Sequence, residues 1–190
     1  MLLAGEDTTA NTLAWMVYLL QAHPEVLQQA QQEVRAVSAA AGSAPGTHAF
    51  THDEIDALEF VEACAHETMR LRPVGPVNVL QALRDTRIAD VAVPAGTMVW
   101  CVMRHDPLQE HHFEDAPAFR PRRWLEQGEG NRSASAAKRV SMPFGAGPRV
   151  CPGRYLALLE IKMAVAMLLD GFDILGVDTP DGRPPREQVA

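Results

Sequence analysis

Cysteine is scarce in this chain, and so is the spacing that would give it a common use. The three cysteines, at 64, 101 and 151, form no Cys-x-x-Cys pair, which rules out a zinc ribbon and argues against a disulfide scaffold. A reducing, cytoplasmic setting fits that usage. Positive charge is also short. The 17 Lys and Arg against 24 Asp and Glu leave a net charge of −7, which argues against general nucleic-acid binding. Long apolar runs are missing: Glu6 and Asp7 interrupt the first one, and Thr8 to Ala22 is too short and too polar to span a membrane. The N-terminus lacks the basic region of a secretory signal. No internal repeat is visible. Seven histidines are scattered, and His111-His112 is adjacent rather than at helical spacing, so no metal pair is expected there.

What remains is the composition of a soluble globular domain, 190 residues with 47% apolar content. The apolar positions from Leu2 to Leu20 predict a helix over 1–22, and Pro24 opens a second with Val26, Leu27, Ala30, Val34 and Val37 on one face. Small and polar residues from Ala39 to Thr47 predict a loop. Thr51-x-x-Glu54 is a capping box, predicting one helix from about His52 through Ile55, Leu58, Val61, Ala65 and Met69 to Pro73. Val77–Leu83, Val91–Val93 and Met98–Met103 read as strands, the last two joined by a turn at Pro94-Ala95-Gly96. Residues 128–137 read as loop. Tyr155 to Leu169 is apolar nearly all round, which predicts a buried helix ended by Gly171, with a short strand at Phe172–Leu175 and a Pro- and Gly-rich tail beyond it. The expected class is mainly α with small β-sheets.

The stretch that carries chemistry is Phe144-Gly145-Ala146-Gly147-Pro148-Arg149-Val150-Cys151-Pro152-Gly153. It predicts a tight loop delivering one cysteine to the start of a helix, with Pro152 at the first helical position. Partial positive charge and unpaired N–H groups at a helix start favour a thiolate over a thiol. Nucleotide binding does not fit, because Val150 stands where a dinucleotide fingerprint needs glycine, and no Gly-Lys-Ser/Thr follows. From Arg120 to Arg154 eight Lys and Arg face two Glu, a local excess of +6 in an acidic chain. Near the N-terminus, Ala4-Gly5-Glu6-Asp7-Thr8-Thr9 puts small residues, acids and hydroxyls on an apolar helix. Thr8 can there hydrogen-bond the carbonyl of Ala4 and loosen the helix locally. Glu67 and Arg70, three apart, can pair, and on pattern alone such a pair is surface decoration.

The loop resembles the haem-binding loop of the cytochrome P450 monooxygenases, Phe-x-x-Gly-x-x-x-Cys-x-Gly, in Phe144, Gly147, Cys151 and Gly153. Three more family signatures follow in the family's order. Ala4 to Thr9 is similar to the oxygen-activation motif. Glu67-Thr68-Met69-Arg70 resembles the Glu-x-x-Arg helix. Phe119-Arg120-Pro121-Arg122-Arg123-Trp124 resembles the Pro-Glu-Arg-Phe motif, with Arg122 for Glu and Trp124 for Phe. The resemblance implies that Cys151 ligates the iron of haem b, with Ala4, Gly5, Phe144, Gly145, Arg149 and Gly153 around the cofactor. It assigns Asp7 and Thr8 to proton delivery during oxygen activation. It makes Glu67, Arg70 and Arg123 a buried structural triad, and runs Val74–Val79 beside haem and substrate. Gln81 stands where many members place a propionate-binding arginine.

The implied activity is oxidation of a small organic substrate with dioxygen, with electrons from a flavin or iron–sulfur partner docked on the basic stretch near Cys151. Complete members are much longer, and residues 1–190 match their C-terminal, haem-proximal part. A second expectation is therefore a truncated product that holds no stable haem and does not catalyse. A thiol-redox role for Cys151 lacks a resolving cysteine nearby in sequence.

Overall fold

Six α-helices and two small antiparallel sheets make up the regular structure of the described residues, 2–125 and 134–186, in this computed structural model. The chain is mainly helical, of the α+β class. Helix α1 (Leu2–Ala22) and helix α2 (Pro24–Ala40) meet at His23, and Pro24 starts α2 as expected. Helix α1 is continuous: Thr8 Oγ1 donates to Ala4 O at 2.7 Å, yet the helix runs unbroken through the stretch.

The single helix expected after Thr51 is two. The capping box forms, Thr51 and Glu54 exchanging backbone-to-side-chain bonds, but α3 stops at Asp56 (His52–Asp56). A new helix, α4 (Glu59–Leu71), starts after Leu58. The cause is Glu33 on α2. Its carboxylate accepts the backbone N–H groups of Phe60 at 2.8 Å and Val61 at 2.9 Å, two donors that a helix start leaves orphaned and that Leu58 cannot cap. Helix α4 is the middle of the molecule. Apart from its first residue and Glu62 it is buried throughout, against α1, α2 and helix α6 (Arg154–Gly171). Met16, Leu20, Ala30, Val34, Val61, Ile161 and Leu169 belong to that core.

Strand β1 (Val77–Gln81) pairs with β4 (Met98–Val102), Val79 opposite Trp100. The turn at Pro94–Gly96 therefore does not make a hairpin of the strands beside it. Strand β3 (Val91–Val93) pairs instead with β2 (Thr86–Ile88), whose exposed residues carried no alternating pattern. Helix α5 (Ala134–Ser141) occupies the second half of what reads as loop in sequence; residues 128–133 lie outside the described residues. No strand forms at Phe172–Leu175.

Helix α6 departs from the expected all-round burial. Ile161, Val165, Ala166 and Leu169 are buried, whereas Tyr155, Leu156, Met163 and Met167 are exposed. Lys162 is buried in this apolar helix because its ammonium donates to Asp56 O at 3.0 Å and to Glu62 Oε2 at 3.1 Å. At its far end, Asp170 accepts the Gly46 N–H at 2.8 Å. A Cβ at Gly46 would meet the Gly171 backbone at 3.0 Å, and its φ of +76° suits glycine alone.

Candidate functional site

Glu67 is fully buried, and five donors converge on its carboxylate. Oε1 accepts Arg70 Nη2 at 2.8 Å, Arg123 Nε at 3.1 Å and the Arg120 backbone N–H at 2.9 Å; Oε2 accepts Arg70 Nε and Trp124 Nε1, both at 2.8 Å. A buried carboxylate is tolerated only when paired and hydrogen-bonded in this way. Arg70 has five N–H donors, and all are used. Besides Glu67 they reach the carbonyls of Pro107, Ala116 and Ala118 at 2.7, 2.7 and 3.0 Å. Arg123 adds the carbonyls of Glu114 and Asp115. Burial pulls the Arg123 guanidinium below its ordinary value, and Glu67 opposes that pull. The structure thus brings Glu67, Arg70 and Arg123 together, and together they pin the irregular segment 107–124 onto α4.

Trp124 and the Arg120 backbone are partners that the spacing of charges could not reveal. Trp124 also stacks on His66, ring centroids 5.0 Å apart.

Gly145 and Gly147 have φ of +71° and +70°, which the turn requires, and the Cys151 N–H donates to Phe144 O at 2.9 Å. Helix α6 begins at Arg154 with Gly153 as its cap residue, so Pro152 precedes the helix instead of opening it. The sulfur remains close to that start, because a Cβ at Gly153 would lie 3.9 Å from Cys151 Sγ.

Cys151 lines a cavity of about 500 Å³. Ala4, Gly5 and Thr8 of α1 form its far wall, Val74 and Val77 border it, and Phe144, Gly145, Arg149 and Gly153 complete the loop side. Every position singled out for cofactor contact is on this wall. Asp7 is not; it is exposed on α1 and its carbonyl accepts Asn11 Nδ2. The acidic side chain on the wall is Glu160 of α6, which the motifs did not flag. Gln81 is exposed and donates to Gly96 O at 3.2 Å.

The family profile of cytochrome P450 matches residues 1–189. The chain belongs to the cytochrome P450 family. A mitochondrial 25-hydroxyvitamin D-1 alpha hydroxylase of Homo sapiens is 38% identical over 178 residues, 92% of this chain and 32% of the relative. A probable cytochrome P450 4d20 of Drosophila melanogaster is 33% identical over 90% of the chain and 32% of its own length. A mitochondrial 1,25-dihydroxyvitamin D(3) 24-hydroxylase of Mus musculus is 30% identical over 93% of the chain and 32% of its own length. The chain thus spans about a third of the length of the curated relatives it matches.

Haem, the cofactor of P450 proteins, fits what the cavity offers. A soft sulfur donor stands on its wall. Side-chain positions at Gly5 and Gly145 open onto space, since a Cβ at either would meet nothing within 4 Å. The volume lies within the ordinary range for cofactor sites. Among the described residues no helix is long and apolar enough to cross a membrane, and no three His, Cys, Asp or Glu cluster as a metal site.

Proposed function

We propose that the protein carrying this chain is a haem-thiolate monooxygenase, and that residues 1–190 form the part of its domain that grips haem b. One observation carries the reading. Cys151, its glycine loop and the Ala4–Thr8 turn of α1 come from opposite ends of the chain and share one cavity. Haem bound there supplies the oxygen-activating oxidation chemistry of the family.

The chain's own residues then have separate tasks. Cys151 Sγ is the iron ligand, and the Cys151 N–H bond to Phe144 O fixes the loop that presents it. Arg149 offers its fork to a cofactor carboxylate. The Thr8 hydroxyl gives its proton to Ala4 O, so on the cavity wall it has acceptor capacity left and can hold a water. Asp7, on the solvent side of the same turn, feeds protons toward that point. Glu67, Arg70 and Arg123 touch no reacting group; they hold the 107–124 segment against α4. Val74 and Val77 border the space for an organic substrate.

The electron donor in this reading is a flavin or iron–sulfur protein with an acidic face, received by the basic stretch from Arg120 to Arg154. Reduction that is indifferent to salt and to Arg154→Glu would remove that contact. Cysteine usage alone suggests a cytoplasmic setting. The human and mouse relatives are named as mitochondrial, and a mitochondrial location is the one proposed.

Haemin titration followed by absorbance tests the cavity assignment. The chain should take up one equivalent, and Gly5→Leu, at a cavity-lining position where a Cβ meets nothing within 4 Å, should lose that uptake while keeping its circular dichroism. Equal uptake by Gly5→Leu would place the cofactor elsewhere.

A further inference from the structure

A second cavity, of about 720 Å³, lies between α3, α4, α5 and α6. The segment Met142–Gly145 forms part of the walls of both cavities, so it stands as a partition between them. His66 lines the second cavity, is only 6% exposed, and neither of its ring nitrogens has a hydrogen-bond partner among the described residues. Its closest ionic neighbour, Glu62 Oε1, is 3.6 Å away, an ion-pair separation rather than a hydrogen bond. A buried ring held only by an ion-pair contact leaves its hydrogen-bonding capacity unfilled, and a ligand can complete it.

The charges around it point to the sign of that ligand. Glu62 is already matched by Lys162 at 3.1 Å. Arg154 spends its donors on neutral oxygens, Cys151 O and Tyr155 Oη, and Lys138 has no carboxylate partner among the described residues. Exposed Asp56 is the one acid left on the wall to set against these two cations. Apart from His52 and Tyr155 the remaining wall is apolar, with Ile55, Phe144 and Leu159 among it. We propose that this second cavity binds a small organic anion, a carboxylate on an apolar body, with His66 donating to the carboxylate, Lys138 and Arg154 supplying the charge, and the apolar wall taking the body. The site is separate from the Cys151 cavity and does not rest on the oxygenase reading.

Calorimetric titration of the chain with naphthoate, at fixed ionic strength, tests it. Naphthoate should bind with a measurable dissociation constant, and neutral naphthylmethanol should bind about tenfold more weakly or worse, the loss expected when a charged hydrogen-bonding group is removed. His66→Ala should weaken naphthoate by about tenfold. Lys138→Met, at an exposed side chain that does not threaten folding, should weaken it several-fold. Arg149→Met, which alters the Cys151 cavity, should leave it unchanged. Equal binding of acid and alcohol would show apolar stickiness and overturn the proposal. So would wild-type affinity in both His66→Ala and Lys138→Met, loss of binding in Arg149→Met, or no binding by the wild-type chain.

Discussion

Replacing Glu67 by Gln keeps its shape and removes its charge. In the native carboxylate, three donors meet Oε1 and two meet Oε2. An amide can place its oxygen at the first position, but its NH2 then faces Arg70 Nε–H and Trp124 Nε1–H, donor against donor. Turning the amide over leaves three donors facing an NH2 instead. In either pose Arg70 and Arg123 keep their charges inside the protein with no counter-ion, and the 107–124 segment loses its central tie. Breaking a buried ion pair by removing one partner costs about 3–5 kcal/mol. That is a large part of the stability of an ordinary domain, about 5–15 kcal/mol. It corresponds to a fall in Tm of about 6–20 °C for a chain of this size. Urea unfolding followed by far-ultraviolet circular dichroism reads the difference directly. A loss below about 1 kcal/mol would mean that the five bonds are not holding the segment, and the account of Glu67 as its anchor would fail.

Three further outcomes are expected. Glu33→Ala removes the carboxylate that caps α4 through Phe60 and Val61, and should cost about 1–2 kcal/mol in the same assay, as loss of a helix cap does; an unchanged midpoint would show that the cap is idle. First His66 and then Lys162 hold the Glu62 carboxyl down to about 2 from its ordinary 4.5, against the upward push of partial burial. A depressed folded-state value gives stability that is full above about pH 4.5 and drains away as pH falls toward 2. Lys162→Met should flatten that stretch of the pH–stability curve, and a slope identical to wild type would refute the pairing. Burial, with the Glu33 and Glu67 carboxylates nearby, pushes the Cys64 thiol well up. Iodoacetamide at mildly alkaline pH should therefore label Cys101 and Cys151 and spare Cys64; peptide mass mapping that finds Cys64 modified in the native chain would contradict its burial.

Much of the helical framework was legible because its signals are local. Pro24 and the Thr51–Glu54 capping box start helices where expected, and Gly171 ends α6. What was missed depends on groups distant in sequence. The break between α3 and α4 needs Glu33 of α2. The burial of Glu67 rests on Arg120, Arg123 and Trp124, so its spacing from Arg70 alone reads as a surface pair, and only the family motifs at Glu67–Arg70 and Phe119–Trp124 pointed to a buried triad. The outward face of α6 shows that an all-apolar helix need not be enclosed on every side by the residues described. For the cavity, the Cys151 loop and the Ala4–Thr8 turn could be named from sequence because glycines, a cysteine and threonines are unusual company. Glu160, the Trp124 bond to Glu67 and the open ring nitrogens of His66 could not, since nothing in their spacing says which way they face.

In the proposed function Cys151 holds iron through its sulfur. The most direct measurement is the absorption difference between carbon-monoxide-bound and free reduced protein after haem loading. The wild-type chain should show the red-shifted band of a thiolate-ligated haem, and Cys151→Ser should lose it. An unshifted band in the wild type, or a red-shifted band that survives in Cys151→Ser, would contradict that bond.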